Sequence, residues 1–598
     1  MSSSGGSKGH TLIHVTHEAV EHIGGIGTVL EGLLTSRVYR GAVARSILVA
    51  PLWNTGSVRD PMERLGSEGT ELWYSGLDEI DARGLGARLK PIEWAFRVRL
   101  VYGKRRFVSR AAGGETGEAE LLLVDLRGID HQRIDRFKAL LYERFEIDSL
   151  RFSGNGDYEL WVGLAPPAYA ALMALLGEAD FPAILFSHEY MGMPTALLAS
   201  TDAHRRIRTV FHAHECSTAR DIVEHSVGQD IGFYQAMRDG VSQGKHVEDV
   251  FGDRDASYRH QMVRNAHRLD VALAVGDATA EELKFLSPEM ERSNVALCYN
   301  GLLGAEVTLD SKKKSRGLVL DWVERVTGSR PDLIFTHVTR PVVSKGLWRD
   351  LKLCARMERA LKERGQRAVS ILLTCGASPR SFADVKGMAE RYGWPMDHHE
   401  GYPDLVGPEV GLWREISVFN NPARSGSGAI TAMLVNQYGF SRDRLGPAAP
   451  PDLTIADLRR AADVEFGMSI YEPFGIAQLE PLHAGAICVP SSVCGCYGFA
   501  RKALREEGIA EEDAKTLVVA DFTSVRVADP LHLSRTERER IEDAALDGIA
   551  ERLLARLPRN DADRAALIEE GQRLARRMDW DAIVKGQMLP ALEGIVRD

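Results

Sequence analysis

Short apolar runs alternate with stretches of helical periodicity along most of the chain. The apolar runs are rich in valine, isoleucine and leucine. They occupy residues 11–16, 46–50, 121–125, 184–186, 271–275, 333–338, 370–373, 464–470 and 486–490. Continuous apolar runs of this length, bounded by polar turns, are typical of buried strands. Their alternation with helices predicts an α/β protein built on open sheets.

Three stretches depart from this pattern. Residues 96–107 alternate basic and apolar side chains, which predicts a hairpin-like excursion. Residues 303–330, which contain Lys312, Lys313 and Lys314, predict a linker followed by a helix. Residues 420–428 are too polar for a core element, so they predict an insertion or a partner surface within the region 400–455.

Length and charge limit the class of protein. A chain of 598 residues is too long for one core, so at least two α/β domains are expected. The net charge of −10 argues against nucleic acid or an anionic membrane as the main partner. Residues 1–10 are polar and unlike a signal peptide, and no apolar run reaches the ~18 residues of a membrane span. Seven scattered cysteines fit reduced thiols, and the sequence predicts a cytoplasmic protein.

The segment from Tyr471 to Glu480 joins an apolar run to a short helix and carries two carboxylates. Pro473 and Gly475 mark the turn, and a helix N-terminus there would point N–H groups at a bound anion. If the interval were helical throughout, Glu472 and Glu480 would lie roughly 12 Å apart. That spacing suits the two ends of a nucleotide sugar. Two solvated glutamates are the alternative, which the turn and the apolar surroundings disfavour.

A second candidate site follows the run at residues 333–338. Arg340 and Lys345 lie five residues apart in a loop between a strand and a helix. An arginine fork and a lysine point charge can converge on one diphosphate. A solvated basic loop is the alternative.

Polar clusters also follow three apolar runs in the first half of the chain, where open α/β sheets bind ligands. The glycine-rich turn at residues 24–27 precedes a helix, and glycines there let the backbone approach a phosphate closely. An ordinary tight turn is the alternative. The other two clusters contain His188, Glu189 and His214. The alternative for each histidine is a structural role, in which it only bridges hydrogen-bonding groups.

Taken in order, these segments resemble the motifs of retaining glycosyltransferases with the GT-B fold, and glycogen synthases in particular. Residues 472–480 are similar to their Glu-x7-Glu motif and residues 340–346 to their Arg-x4-Lys-Gly motif. Residues 212–220 resemble the Thr-His-Ala-x4-Arg element of the animal and fungal enzymes. Before the glycine-rich turn, Glu18 matches the glutamate of the corresponding family loop, whereas His22 stands where that loop has Lys or Arg.

The resemblance implies a role for each matching residue. Glu472 would lie by the donor sugar and Glu480 by the ribose. Arg340 and Lys345 would stabilise the leaving diphosphate, and His214 would form a hydrogen bond to the donor sugar. The other donor-binding residues that it implies are Gly24, Gly25, Gly27, His188, Glu189, Arg220, Asn300, Phe474 and Gly475.

The implied fold consists of two Rossmann-like domains that face each other across a cleft. Residues 11–305 would form the N-terminal, acceptor-side domain, and residues 306–577 the domain that binds the nucleotide sugar. Residues 1–10 would be a disordered tail, and residues 578–598 a helix that crosses back to the first domain.

The implied reaction transfers glucose, with retention, from UDP- or ADP-glucose to the end of an α-1,4-glucan. No metal or other cofactor is expected, because fixed cations can replace a metal. The Asp-x-Asp sequences at residues 253–255 and 561–563 fit solvated carboxylates. The nucleotide base, the acceptor and the formation of a homo-oligomer stay open. The alternatives are a transferase for another sugar or a small acceptor, of the trehalose or sucrose type, and a non-catalytic carbohydrate-binding regulatory relative.

Overall fold

The computed structural model describes residues 9–20, 24–66, 69–109, 114–421 and 428–597, and these residues form two compact units. The first unit contains the described residues of Met1–Ala219, Gly240–Leu303 and Trp580–Asp598. The second contains those of Arg220–Asp239 and Gly304–Asp579. Within the described ranges, no helix combines the length and the apolar composition that crossing a lipid bilayer requires.

The first unit is built on a mixed sheet with ten strands among its described residues. They are β1 His10–Val15, β2 Val43–Pro51, β3 Glu71–Ser75, β4 Ile80–Asp81, β5 Arg99–Val108, β6 Thr116–Asp125, β7 Ala183–His188, β8 Ile207–Ala213, β9 Val271–Ala274 and β10 Val295–Leu297. Their order across the sheet is β10-β9-β8-β7-β1-β2-β6-β5-β3-β4. The strands from β10 to β6 pair in parallel, and β5, β3 and β4 continue the sheet in antiparallel pairing.

The apolar runs predicted as strands in this unit are strands. All six residues of β7 are buried, because helices cover both faces of the parallel part of such a sheet and leave no solvated side. The alternating residues 96–107 form most of β5, which pairs with β6 as an antiparallel hairpin. The stretch therefore forms one arm of a hairpin rather than a whole hairpin, and the other arm contains the run at residues 121–125.

Helices connect these strands. In the described part of the chain before residue 304, the α-helices are Gly25–Thr35, Arg37–Ala42, Gly86–Phe96, His131–Phe145, Gly156–Leu175, Glu189–Ser200, Ser217–His225, Gln229–Ser242, Val247–Phe251, Tyr258–Arg264, Asp277–Phe285 and Pro288–Arg292.

The C-terminal segment belongs to the first unit. Its helical parts are Trp580–Ile583, Val584–Met588 and Leu589–Arg597. Asp581 accepts a hydrogen bond from the Ser36 hydroxyl at 2.6 Å, and Gln587 accepts one from the Tyr299 N–H at 2.9 Å. The predicted return of the chain to the first domain is confirmed.

The second unit is built on a sheet of five strands among the described residues, all parallel. They are β11 Leu333–Val338, β12 Ala368–Leu373, β13 Ile430–Val435, β14 Val464–Gly467 and β15 Ile487–Pro490, in the order β13-β12-β11-β14-β15. Successive residues of a strand point to opposite faces. Phe335 accordingly enters one apolar core and Ile334 the other, so both faces of the sheet are covered.

Helices flank this sheet as well. Among the described residues from 304 to 579, the α-helices are Leu309–Thr327, Leu347–Glu363, Phe382–Tyr392, Pro408–Asn420, Arg442–Leu445, Ile455–Ala461, Ile476–Leu479, Gly495–Glu506, Arg535–Arg556 and Asp561–Arg577.

The region 400–455 contributes to the core of the second unit. Residues 422–427, the centre of the predicted insertion or partner surface, lie outside the described residues. The helix Pro408–Asn420 before them buries Leu412 and Ile416, and β13 after them is an edge strand with a mostly buried apolar run. The apolar run was visible in the sequence, but the polar residues before it obscured a core strand.

Residues 220–239 pack within the second unit because a buried ion pair holds them there. The Arg349 guanidinium donates to both carboxylate oxygens of Asp230, at 2.8 and 2.9 Å. It also contacts Glu542 Oε1, at 2.8 Å from Nη2 and 3.0 Å from Nε. All three side chains are fully buried. One cation therefore joins three segments that are distant in the sequence.

The predicted linker ends earlier than its polar composition suggested. The helix begins at Leu309, and Lys312 within it is fully buried. Its Nζ donates hydrogen bonds to the carbonyl oxygens of Ala462 at 2.7 Å and Ala484 at 2.8 Å. Burial lowers the pKa of Lys312 to about 7, and the nearby Asp463 carboxylate offsets only part of this effect.

Lys312 should make the stability of this unit depend on pH. An unfolded lysine keeps its proton up to about pH 10.4, whereas the folded Lys312 loses it near pH 7. Between these values the unfolded state binds the extra proton, so stability should rise with pH by about 1.4 kcal/mol per unit, and this gain is lost progressively as the pH falls from about 10.4 to the folded pKa near 7. Urea unfolding between about pH 7 and 10 measures the slope.

Lys312→Met should reduce that slope, and Lys313→Met is the matched control. The Lys313 side chain is half exposed and pairs with Asp561 at 2.7 Å, so its loss should leave the slope unchanged. Equal slopes in the wild type and Lys312→Met would show that Lys312 does not titrate as described.

Candidate active site

The carboxyl edge of the second sheet brings two predicted segments together. β12 and β13 lie on one side of β11, whereas the next strand in sequence, β14, lies on its other side. Ligands of open α/β sheets bind at such a switch point, beyond the carboxyl ends of the strands. The loop with Arg340 and Lys345 follows β11, and the segment with Glu472 follows β14.

Backbone contacts join these two segments. The Ser344 carbonyl accepts hydrogen bonds from the N–H groups of Ile470 at 2.8 Å and Tyr471 at 3.2 Å. Gly346 has a φ of +62°, and a Cβ added there would lie 2.5 Å from the Met468 carbonyl oxygen. Only glycine fits this approach without strain. The two loops are therefore fixed relative to each other.

Lys345 and Glu472, predicted from separate motifs, form an ion pair. The Lys345 Nζ donates a hydrogen bond to Glu472 Oε2, and the two side chains are only 13% and 15% exposed. Arg340 is exposed, and within the described part of the chain its guanidinium has no hydrogen bond or ion pair. The switch point thus carries one paired and one available cation.

The turn after Glu472 is tighter than predicted. Gly475 has a φ of +91°, and a Cβ there would lie 2.8 Å from Gln478 Oε1 and 2.9 Å from Glu472 Cγ. Phe474 is buried, and its carbonyl accepts the Cys496 N–H at 2.7 Å.

The interval between the two glutamates is not helical throughout. Only Ile476–Leu479 is α-helical, and a 3₁₀ turn, Glu480–Ala484, follows it. The roughly 12 Å that a continuous helix would give therefore does not apply, because the chain turns at Gly475 before the helix begins.

Glu480 is held by a residue that the sequence analysis missed. Arg459, on the helix before β14, approaches Glu480 Oε2 at 3.4 Å and Glu465 Oε2 at 2.8 Å. Burial lowers the pKa of Arg459, but the two carboxylates outweigh it, so the net change is upward. Glu480 remains about one third exposed. Its carboxylate is thereby oriented while staying accessible.

In the first unit, the corresponding switch point lies between β1 and β7. The glycine-rich turn follows β1, and Gly24 precedes the helix Gly25–Thr35. The Gly27 N–H donates to Glu18 Oε2 at 2.6 Å. Burial raises the pKa of Glu18, but hydrogen bonds from His17 and from the Gly27 and Gly24 N–H groups outweigh it and lower the pKa overall.

This carboxylate changes the expectation for the turn. Glu18 already occupies the position at the helix N-terminus that a donor phosphate was predicted to take, and it uses the Gly27 N–H. Gly27 is therefore a helix-capping donor in this structure. His22, at the usual Lys or Arg position, lies outside the described residues.

Two predicted histidines belong to a hydrogen-bonded chain at the same switch point. His188 Nδ1 lies 2.8 Å from His214 Nε2, and His188 Nε2 lies 2.9 Å from His14 Nδ1. His14 Nε2 lies 3.1 Å from the Tyr39 hydroxyl, which in turn lies 2.9 Å from the Ser46 hydroxyl. The alternation of strand residues brings His14, Ser46 and His188 to one face of the sheet.

A fourth histidine, His212, completes this cluster. It lies opposite His188 in the pairing of β7 with β8, and its ring centroid is 4.2 Å from that of His214. Burial lowers the pKa of His212 to about 4 and that of His14 to about 3. Burial, with neighbouring histidines, holds the pKa values of His188 and His214 well below their usual range. All four imidazoles are therefore neutral at pH 7.

Glu189, predicted beside His188, has a φ of +62°. A non-glycine residue in this region is uncommon and often marks a functional position. Its Oε1 accepts the Glu215 N–H at 2.5 Å, which ties the ends of β7 and β8 together. Asn300 is buried, and its Oδ1 has no hydrogen-bond partner among the described residues.

Arg220, predicted to bind the donor, has an acidic neighbour instead. It lies in the helix Ser217–His225, at the point where the chain enters the second unit, and its Nε donates to Glu224 at 3.0 Å.

The cysteines are buried, and the Asp-x-Asp sequences pair with basic side chains. All seven cysteines are buried free thiols, and burial raises the pKa of Cys496 well above its usual value. Asp561 pairs with Lys313 at 2.7 Å, and Asp255 pairs with Arg264 at 3.0 Å.

No family model matches the sequence, and no curated protein matches it. Solved structures do match the chain. The catalytic domain of starch synthase IV from Arabidopsis thaliana, bound to ADP and acarbose, has a TM-score of 0.51 at 12% identity, over 99% of this chain and 100% of that chain. The α,α-trehalose 6-phosphate synthase from Burkholderia multivorans has a TM-score of 0.50 at 13% identity, over 98% and 99%.

At these identities the likeness concerns the fold. It extends over nearly the full length of both chains, and it agrees with two α/β units built on parallel or mostly parallel sheets. The fold of this protein is the GT-B fold of glycosyltransferases.

Proposed function

We propose that this protein is a retaining glycosyltransferase of the glycogen synthase type. It transfers glucose from UDP- or ADP-glucose to the end of an α-1,4-glucan. The observation that carries this proposal is the Lys345–Glu472 ion pair at the switch point of the second sheet, with the exposed Arg340 in the same loop as Lys345.

The two cations are suited to a departing nucleoside diphosphate. Negative charge grows on the diphosphate as the bond to the sugar breaks, and cations already fixed in place stabilise it without reorganising. Arg340 supplies a two-pronged donor and Lys345 a point charge. When the donor binds, Lys345 contacts the diphosphate from the position in which Glu472 Oε2 holds it, and the other carboxylate oxygen of Glu472 accepts a hydrogen bond from a sugar hydroxyl.

The remaining site residues bind the donor rather than react. Glu480, oriented by Arg459, accepts hydrogen bonds from the ribose hydroxyls. No carboxylate is assigned as a covalent nucleophile, so the acceptor attacks from the face that the diphosphate leaves.

A small acceptor is the second candidate, because the fold is equally like that of a trehalose 6-phosphate synthase. The two neighbours are named for different products, starch and trehalose 6-phosphate, and fold likeness does not choose between them.

A donor and acceptor screen with the full chain tests the proposal. UDP-, ADP- and GDP-glucose are each combined with glycogen or with glucose 6-phosphate, and diphosphate release and sugar incorporation are measured. We expect release and incorporation with one of the first two donors and glycogen. Incorporation only into glucose 6-phosphate would favour the small acceptor. Binding of a donor without turnover would favour a regulatory protein, and absence of donor binding would contradict the proposal.

A further inference from the structure

His188, His212 and His214 lie where three imidazoles can share one ligand. One ring nitrogen from each lies within 4.8 Å of those of the other two. His188 and His212 are paired across adjacent strands, and His214 follows two residues after His212. His214 is the first residue after β8, and its ring lies 4.2 Å from that of His212 and 5.1 Å from that of His188, between centroids.

His212 distinguishes this cluster from a hydrogen-bonded core network. It is 3% exposed, and among the described residues neither of its ring nitrogens has a hydrogen-bond partner. Buried polar groups without partners cost free energy and are rare in native structures. A ligand that takes a nitrogen lone pair would satisfy His212.

From this geometry we propose that His188, His212 and His214 form a binding site for a transition-metal ion of the Zn²⁺ class. Neutral imidazole suits Zn²⁺, Cu²⁺ and Ni²⁺, whereas Mg²⁺ and Mn²⁺ prefer oxygen ligands. Zn–N bonds of 2.0–2.1 Å in a tetrahedron place ligand nitrogens about 3.3 Å apart. His188 Nδ1 and His214 Nε2, now 2.8 Å apart, need to separate only slightly.

The chain behind His188 supplies the outer contacts that such a ligand needs. A metal-bound histidine usually donates its other N–H to a fixed acceptor, which orients the ring. His188 Nε2–H can donate to His14 Nδ1, His14 Nε2–H to the Tyr39 oxygen, and Tyr39 to Ser46. This arrangement leaves the lone pair of His188 Nδ1 directed at His214.

Three protein ligands leave one coordination position for a water molecule or a hydroxyl of a bound molecule. Partly exposed His214 gives the site a route to solvent. The proposal does not depend on the proposed transferase activity, because its readout is metal binding.

Zinc titration of the full chain tests the site. The protein is stripped with a chelator and dialysed, and bound Zn²⁺ is measured by calorimetry and by metal analysis. We expect one tightly bound Zn²⁺ per chain, and an intense visible spectrum of four-coordinate Co²⁺ when cobalt is used instead. His14→Phe should weaken binding about 10- to 100-fold, as for other lost outer contacts, and His212→Ala should weaken it further.

His260→Ala is the matched control. His260 is another buried histidine of the first unit, in a different group with Glu248 and Asp255, and its loss should leave binding unchanged. The metal-free melting temperature of each variant checks folding, and His212→Leu replaces His212→Ala if the latter does not fold. Absence of stoichiometric binding in the wild type would overturn the proposal. So would binding that survives loss of His212, or binding lost in His260→Ala.

Discussion

Lys345→Ala is expected to lower kcat about 100- to 1,000-fold, or roughly 2.7–4 kcal/mol, the usual effect of removing one preorganised charge-stabilising group. A lysine and a phosphate charge about 4 Å apart interact by about 4 kcal/mol at an effective dielectric near 20. Part of this attraction is present in the bound donor, and the rest develops as the diphosphate leaves. The donor KM should therefore change far less than kcat.

The structure adds a reason why the remaining groups will not compensate. Lys345 is mostly buried and held against Glu472, so its ammonium group is positioned before the donor arrives. Removing it leaves the Glu472 carboxylate near the diphosphate without a neutralising partner, and like charges repel.

Steady-state kinetics with two further variants separate this role from others. Glu480→Ala removes a contact that is made equally in the ground and transition states, so it should mainly raise the donor KM. Lys386→Ala changes an exposed lysine that pairs with Glu390 at 3.8 Å and should behave like the wild type. If the wild type turns over donor and Lys345→Ala has the same kcat, the diphosphate role of Lys345 is wrong.

Arg349→Met is expected to destabilise the second unit by about 3–5 kcal/mol, because it leaves buried carboxylates without their cation. Asp230 and Glu542 are fully buried on either side of the guanidinium, which also stacks 3.9 Å from the ring of Phe522. Burial raises the pKa of Asp230, and Arg349 offsets only part of this. Without Arg349, Asp230 is left without a cation and Glu542 keeps only Lys352, whose Nζ lies 3.7 Å away, so buried negative charge is no longer balanced.

Urea unfolding measured by tryptophan fluorescence checks this prediction, because Trp322 and Trp348 lie in the second unit. Arg359→Met is the matched control on the same helix, since the Arg359 side chain is 90% exposed and pairs with Glu363. It should unfold like the wild type. Adding Asp230→Asn and Glu542→Gln to Arg349→Met should recover stability, because the three substituted side chains are all neutral and leave no buried carboxylate without a partner. An unchanged midpoint in Arg349→Met would show that the buried triad is not needed.

Patterns within single elements predicted much of this protein. Apolar runs such as residues 333–338 and 184–186 are strands because a parallel sheet with both faces covered buries every residue of a strand. The five-residue spacing of Arg340 and Lys345 in a strand-to-helix loop likewise predicted a cationic loop at the carboxyl edge of a sheet. These features depend on neighbouring residues, so the sequence alone determines them.

Contacts between distant segments were decided only by the tertiary structure. Local polarity suggested a linker around Lys312, and only the packing of its helix beside Ala462 and Ala484 buries its ammonium group. Arg459 meets Glu480, and Arg349 meets Asp230, because strand order brings their helices together.

The sequence alone did not predict the histidine cluster either. His14, His188 and His212 lie in three segments, and no spacing in the sequence relates them. They meet because β1, β7 and β8 are adjacent in the sheet and their side chains alternate between its faces. Periodicity reports which face of an element is buried, whereas the order of strands decides which buried groups face one another.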